Sequence, residues 1–301
     1  MSRLFPRLGL AGVALVALWE SWASLFPPRI SDLDVRSAAQ AVRAAHKPGE
    51  LIAVSPAWLS PLIQRELGDL MPVEHLGRAD GKRFAGITEI FLSPHHAADV
   101  DGLHSDGELR FGLLRVRHYT QTPATVSYDL SAHFLDATVS QIPLAGTAPE
   151  SPCLWTGALP TPLPAPGSLG GFVCSVGRVE RRTMEIDYQP RRGIVSELAQ
   201  GQKTLLRFSI PDADYSGSTL HLWLGLHDYH QRKQAVGPVD VVVDLDDGSA
   251  RHSLQVQVGQ GFVLHKLPLP AKSGDVHHLR IELSAASAPH HLLGLHGELR
   301  R

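Results

Sequence analysis

Hydrophobic and polar positions along the chain change rhythm twice. From Leu8 to Trp19 the residues are almost continuously apolar, behind Arg3 and Arg7 and ahead of Glu20-Ser21-Trp22-Ala23-Ser24. Pro27-Pro28 breaks that run. Behind it, Val35, Ala38, Ala39, Val42 and Ala45 recur at helical spacing after Ser31 and Asp32, either of which can cap a helix over 31–45. Pro48-Gly49 ends it, and Leu51-Ile52-Ala53-Val54 reads as a short strand buried on both faces. A second helix is predicted over 56–67 with Trp58, Leu59, Leu62, Ile63 and Leu67 along one side, stopped by Gly68. A short strand at 71–73 and a longer one at 86–92 follow. Alternating helices and short apolar strands predict a small α/β layer, about half of a nucleotide-binding fold. Ser55-Pro56-Ala57 stands where a phosphate loop would need glycines, so this layer reads as scaffold.

From about residue 108 the period falls to two, and turn residues become frequent. Strands are predicted over 111–119, 125–134, 179–188, 204–210, 219–227, 239–245, 252–258, 276–283 and 292–299. Asp246-Asp247-Gly248 reads as a tight turn between two of them. Leu220, Leu222, Leu224 and Leu226 alternate with His221, Trp223, Gly225 and His227, which gives that strand one inner and one outer face. The fold class predicted is α+β: a half-Rossmann-like α/β unit over 29–107, then an antiparallel jelly-roll sandwich over 108–301.

Residues 1–28 have the pattern of an export signal. The apolar core is about a dozen residues, short of the roughly 20 that span a bilayer, and small residues lie at 21 and 23. Trp19, Trp22, Leu25 and Phe26 lengthen the apolar stretch toward an uncleaved anchor, and a buried N-terminal helix is a third reading. Cleaved or anchored, the body is expected in the periplasm or at the extracytoplasmic face of the inner membrane. Cys153 and Cys174 fit that compartment and flank a Pro/Gly-rich loop, so a disulfide is expected between them, with Trp155 filling the core beside it. Of the 301 residues 43% are apolar and 19% charged, enough apolar content for a core. The net charge of −2 gives no reason to expect a nucleic-acid partner.

Pro48-Gly49-Glu50-Leu51-Ile52, with Pro56, Trp58 and Leu67-Gly68-Asp69-Leu70-Met71-Pro72, resembles the soluble extracytoplasmic region of some bacterial multi-spanning glycosyltransferases. Those enzymes move sugars from lipid-phosphate carriers. Glu185 to Arg192 and Gly225-Leu226-His227-Asp228-Tyr229 are similar to the β-sandwich of that region. The spans that carry the transferase's catalytic residues are not in this sequence, so the resemblance implies an accessory module near cell-envelope glycan assembly, not the activity.

Three chemistries are open. His221, Trp223, His227, Asp228, Tyr229 and Arg232 group an aromatic platform with hydrogen-bonding side chains, as sugar recognition requires; the ligand would be a glycan or lipid-linked sugar, while Trp223 packed under a covering loop or the α/β layer is the plainer reading of that residue. His95, His96, Asp99, Asp101 and His104 are suitable ligands for a divalent metal, which would make the chain a metal-dependent hydrolase or transferase; a polar linker is the plainer reading of that stretch. A structural partner of a membrane glycosyltransferase, with no ligand of its own, is the third. Glu185 and Asp187 share a strand face but read as an ion-pair network with the nearby arginines. No nucleophile motif occurs, no catalytic residue is assigned, and the reading favours a non-catalytic module without a required cofactor.

Overall fold

The computed structural model describes residues 30–71, 81–92, 103, 105–144, 149–157, 170–186, 189–198, 200–227, 237–245, 248–271, 274–285 and 291–301. The targeting segment, most of the expected 71–73 strand, residues 95–102 and 104 of the histidine–aspartate stretch, and the turn residues 246–247 lie outside them.

Helix α1 (Asp32–Ala45) begins at Ser31, whose side chain accepts from the Asp34 N–H while Asp34 accepts from the Ser31 N–H. Val35, Ala38, Ala39 and Val42 form its buried stripe. Strand β1 (Leu51–Ser55) is buried on both faces, and a 3₁₀ turn over Ala57–Leu59 leads into α2 (Ser60–Leu67), which buries Ile63 and Leu67. β1 pairs in parallel with β2 (Gly86–Phe91), so the two strands and α2 form one βαβ unit. Both further pairings in this sheet are antiparallel: β3 (Ser105–Phe111) and β4 (Leu114–Thr120) form a hairpin, and the strand order is β1-β2-β4-β3. The strand expected at 111–119 therefore belongs mainly to this first sheet and not to the sandwich. Alternation fixed its two-faced character, but nothing in a period of two names the sheet it joins. Leu114 and Val116 face the helices, in one cluster with Val35, Leu59 and Ile63.

The rest is two antiparallel sheets face to face. The larger contains β5 (Val126–Asp129), β8 (Leu154–Thr156), β9 (Gly171–Val173), β10 (Arg178–Ile186), β11 (Gln189–Leu198), β13 (Thr219–Leu226), β16 (Val263–Pro268) and β18 (His291–Arg300). Its order is β16-β13-β18-β11-β10-β9-β8, with β5 also on β18. The smaller runs β15 (Ala250–Val256), β14 (Val239–Leu245), β17 (Val276–Ala285), β12 (Gln202–Pro211), β6 (Thr138–Pro143), β7 (Ser151–Pro152). Leu220, Leu222, Leu224 and Leu226 of β13 meet Val241, Val243, Leu279, Ile281 and Leu283 of the opposite sheet in one core. One turn of helix, α3 (Asp212–Tyr215), joins β12 to β13, and its Tyr215 ring stacks on the buried His277 at 3.9 Å.

The first unit is fastened to the sandwich. The Ala124 N–H donates to Lys82 O and the Gln121 side chain to the carbonyls of Gly81 and Phe84. Arg83 reaches the carboxylates of Asp129 and Glu298, 2.6 Å each.

Candidate functional site

Trp223 and His221 project from the outer face of β13, as the alternation requires, but no platform is open there. Trp223 is 4% exposed. The guanidinium carbons of Arg191 and Arg300 lie 4.9 and 5.0 Å from its ring centre, and the His296 ring sits at 5.3 Å. Arg191 also faces the Phe262 ring at 5.5 Å, so its guanidinium bridges two aromatics. Phe262 fills the space above Gly225 and Gly294, a directly paired couple on β13 and β18; a Cβ on either would fall 3.1 Å from its ring. What remains between Met184, Arg191, Phe262 and His296 is a shallow crease with no room for a water molecule. The expectation of an exposed sugar platform at Trp223 is thereby corrected: groups distant in sequence roof it over. His227 follows the strand and donates its N–H to Leu292 O, while Asp228, Tyr229 and Arg232 lie outside the described residues.

Beside Trp223 is a polar network with no local sequence signal. The Glu298 carboxylate, wholly buried, takes His296 Nε2 at 2.5 Å, Arg300 at 2.5 and 2.8 Å, and Arg83 at 2.6 Å. Burial pushes this carboxyl up, but the hydrogen bond and charge of His296 and the Arg83 and Arg300 charges outweigh it and bring it down to about 2. Ser131 Oγ lies 3.4 Å from His296 Nδ1, so serine, imidazole and carboxylate have the connectivity of a hydrolase triad. Ser131 is buried, and the carboxylate is committed to two guanidinium groups. The network has no face for a substrate and serves as internal structure. Nearby, Arg182 pairs with the buried Glu180 at 3.0 Å. Asp187 and the Glu185 side chain lie outside the described residues.

Among the described residues of the sandwich, the exposed aromatic is Trp155. Cys153 and Cys174 are joined, as expected, and Trp155 follows the bridge on β8, the edge strand. Its ring does not fill the core beside the bridge: it is 39% exposed. Phe134 and Phe172 meet it edge-on, at 6.0 and 5.1 Å, and hold its orientation. Leu135, Leu154 and Val176 are also exposed along this corner. Gln141 fixes the turn after the bridge: its amide donates to Val176 O at 2.6 Å and accepts from the Ser175 hydroxyl at 2.9 Å. Ser140, paired across from Pro152, donates to Glu150, whose carboxyl Arg207 holds below the usual carboxylate range. The corner thus combines an oriented indole with hydroxyl, guanidinium and carboxylate groups. Sequence reasoning placed Trp155 inside because it adjoins a cysteine; its position on an edge strand was the signal missed.

Among the described residues no group of three or more His, Cys, Asp or Glu side chains is placed to hold a metal ion. His95, His96, Asp99, Asp101 and His104 lie outside those residues. No helix among the described residues is long and apolar enough to cross a membrane.

No protein-family model matches the chain, and no curated protein matches it in sequence. Several solved structures align weakly. A carbohydrate-binding module and neighbouring domains from Clostridium perfringens, solved with GlcNAc, share 11% identity over 40% of this chain, at a TM-score of 0.28. The chain spans about a quarter of that structure's length, 25%. A carbohydrate-binding module of the β-sandwich superfamily aligns with 63% of this chain and 68% of its own, at 11% identity and a TM-score of 0.33. A xylan-binding domain from Paenibacillus barcinonensis aligns with 42% of this chain and 83% of its own, at 16% identity and a TM-score of 0.26. Similarity at this level transfers neither fold nor function, and the functional reading rests on the residues themselves.

Proposed function

We propose that the protein is a non-catalytic glycan-binding module of the extracytoplasmic face, acting beside membrane-bound machinery that handles lipid-linked sugars. The observation that carries this reading is the Trp155 indole, exposed yet held edge-on by Phe134 and Phe172 beside the Cys153–Cys174 bridge. A flat, pre-oriented aromatic stacks on the apolar face of a sugar ring with little entropy to lose, and neighbouring amides and charged groups bond its hydroxyls. Ser175, Arg207 and Glu150 supply such groups on this side of the sandwich. The disulfide suits an oxidising compartment, where exported glycan-handling proteins work.

A glycan-array screen of the full chain in detergent, repeated with Trp155→Ala and Trp155→Phe, tests the reading. Binding that Trp155→Ala abolishes and Trp155→Phe partly retains supports it. Absence of any glycan ligand, or binding indifferent to Trp155→Ala, sinks it.

A further inference from the structure

The α/β unit carries a second exposed apolar region, at the point where the described chain begins. Leu33, in the first turn of α1, is 73% exposed; Leu109 on β3 and Leu113 in the β3–β4 turn are 55% and 36% exposed. The turn and the helix meet. Gly112 lies so close to Asp34 that a Cβ there would fall 2.5 Å from the Asp34 carboxylate, which places Leu113 beside the turn that presents Leu33. Leu109 belongs to the same hairpin, on the strand that packs on α1.

The charges around these leucines suit an interface with anionic headgroups. Asp34 is consumed by the cap of α1, and Asp32 is held by Arg65 at 2.8 Å. Arg36, one turn beyond Leu33 and on its side of the helix, is exposed; Arg110 beside Leu109 is exposed too, with its Nε on Glu108 at 2.8 Å and the outer face of its guanidinium toward solvent. Exposed leucines flanked by arginines are what a protein presents to the headgroup boundary of a bilayer.

The occupant follows from the sequence upstream. The apolar segment that begins at Leu8 extends through Trp19 and Trp22 to Phe26, seven residues before Leu33. Seven residues of extended chain reach no further than about 25 Å, so a membrane-held Phe26 keeps this corner close to the lipid. We propose that the corner formed by Leu33, Leu109 and Leu113 rests on the surface of a phospholipid bilayer and fixes the orientation of the body above it. The proposal rests on residues 8–26 holding the chain at the membrane, and it is independent of glycan binding at Trp155.

The test uses the full chain, with its disulfide intact, reconstituted into phosphatidylethanolamine–phosphatidylglycerol vesicles. A single cysteine replaces Leu33, Leu109, Leu113, Leu264 or Val276 in turn and carries a nitroxide. All five positions are exposed, and matching far-UV spectra establish that each variant folds. Collisions with oxygen, which concentrates in the bilayer, are compared with collisions with a water-soluble nickel chelate. Labels at 33, 109 and 113 are expected to favour oxygen, with the preference reversed at 264 and 276. If the chain floats with the vesicles but the first three labels behave like the last two, the docking face is wrong and the anchor stands. If the chain does not float with the vesicles, the anchor reading falls and the docking face falls with it; glycan binding at Trp155 is untouched in either case.

Discussion

Arg83 donates to Glu298 across the boundary between the α/β unit and the sandwich, 2.6 Å away, and the acceptor has no exposed surface. Without Arg83 the buried carboxylate keeps Arg300 and His296 but loses one of its two guanidinium partners, and the link across the boundary with it. Arg83→Ala is expected to lower the unfolding free energy by about 1.5–3 kcal/mol, the range for a hydrogen bond to a charged group, read from urea denaturation at neutral pH.

The same carboxylate sets an acid limit. Its folded pKa of about 2 lies below the ordinary 4.5, so its contribution is complete above pH 4.5 and is lost as the pH falls from 4.5 toward 2. A depression of this size is worth about 3 kcal/mol. Urea midpoints measured from pH 6 to pH 2.5 should fall more steeply for the native protein than for Glu298→Gln, which starts lower and has no such group to titrate. Parallel curves would show that other carboxylates govern acid unfolding.

The two sandwich tryptophans should separate cleanly. Trp223→Ala empties a site closed by Arg191, Arg300 and His296 and should cost about 3–5 kcal/mol in denaturation experiments. Trp155→Ala removes a ring already partly in water; it should shift stability much less while abolishing glycan retention. A Trp155→Ala loss as large as that of Trp223→Ala would make Trp155 a packing residue.

Replacing both cysteines with serine frees a loop of 21 residues' separation and should cost about 3 kcal/mol in the chain-entropy model. Thermal unfolding under oxidising and reducing conditions reports it: the native protein should lose stability on reduction, and the double variant should not respond.

Gly294→Ala places a methyl 2.8 Å from Met184 Sδ and 3.1 Å from the Phe262 ring. The thioether can move, but displacing the ring disturbs Arg191, whose guanidinium lies between Phe262 and Trp223, so a loss of about 1–3 kcal/mol is expected. Tryptophan emission should shift to the red if the cost is met by displacing Phe262.

Much of the fold could be read locally. The Ser31 cap and the Val35–Ala38–Ala39–Val42 stripe identify α1, and the uninterrupted Leu51–Val54 run correctly describes a strand covered on both sides. The leucines of β13 announce the inner face of the sandwich. β11 was not legible: it opens Gln189-Pro190-Arg191-Arg192, which reads as a polar connector, yet it runs beside β18 inside the larger sheet. The lining of the Trp223 site was hidden for a related reason. Arg191, Phe262, His296 and Arg300 come from three separate stretches, and only the pairing of the strands brings them together. Local periodicity gives the facing of a residue, whereas its covering is decided by partners that no window contains.

The chain passes from β7, at the rim of the smaller sheet, to β8, at the rim of the larger, through Cys153 alone, and the bridge to Cys174 ties that crossing to the exit of β9. The sandwich is bound there like the spine of a book. The opposite margin, where β15 and β16 have one neighbour each, is crossed by residues 257–262 with no bridge to tie them, so transient opening in the folded state is expected to begin at that side. Amides of β15 and β16 will then exchange with solvent ahead of those in β6 and β10, and the corner that holds Trp155 will be among the last places to come apart.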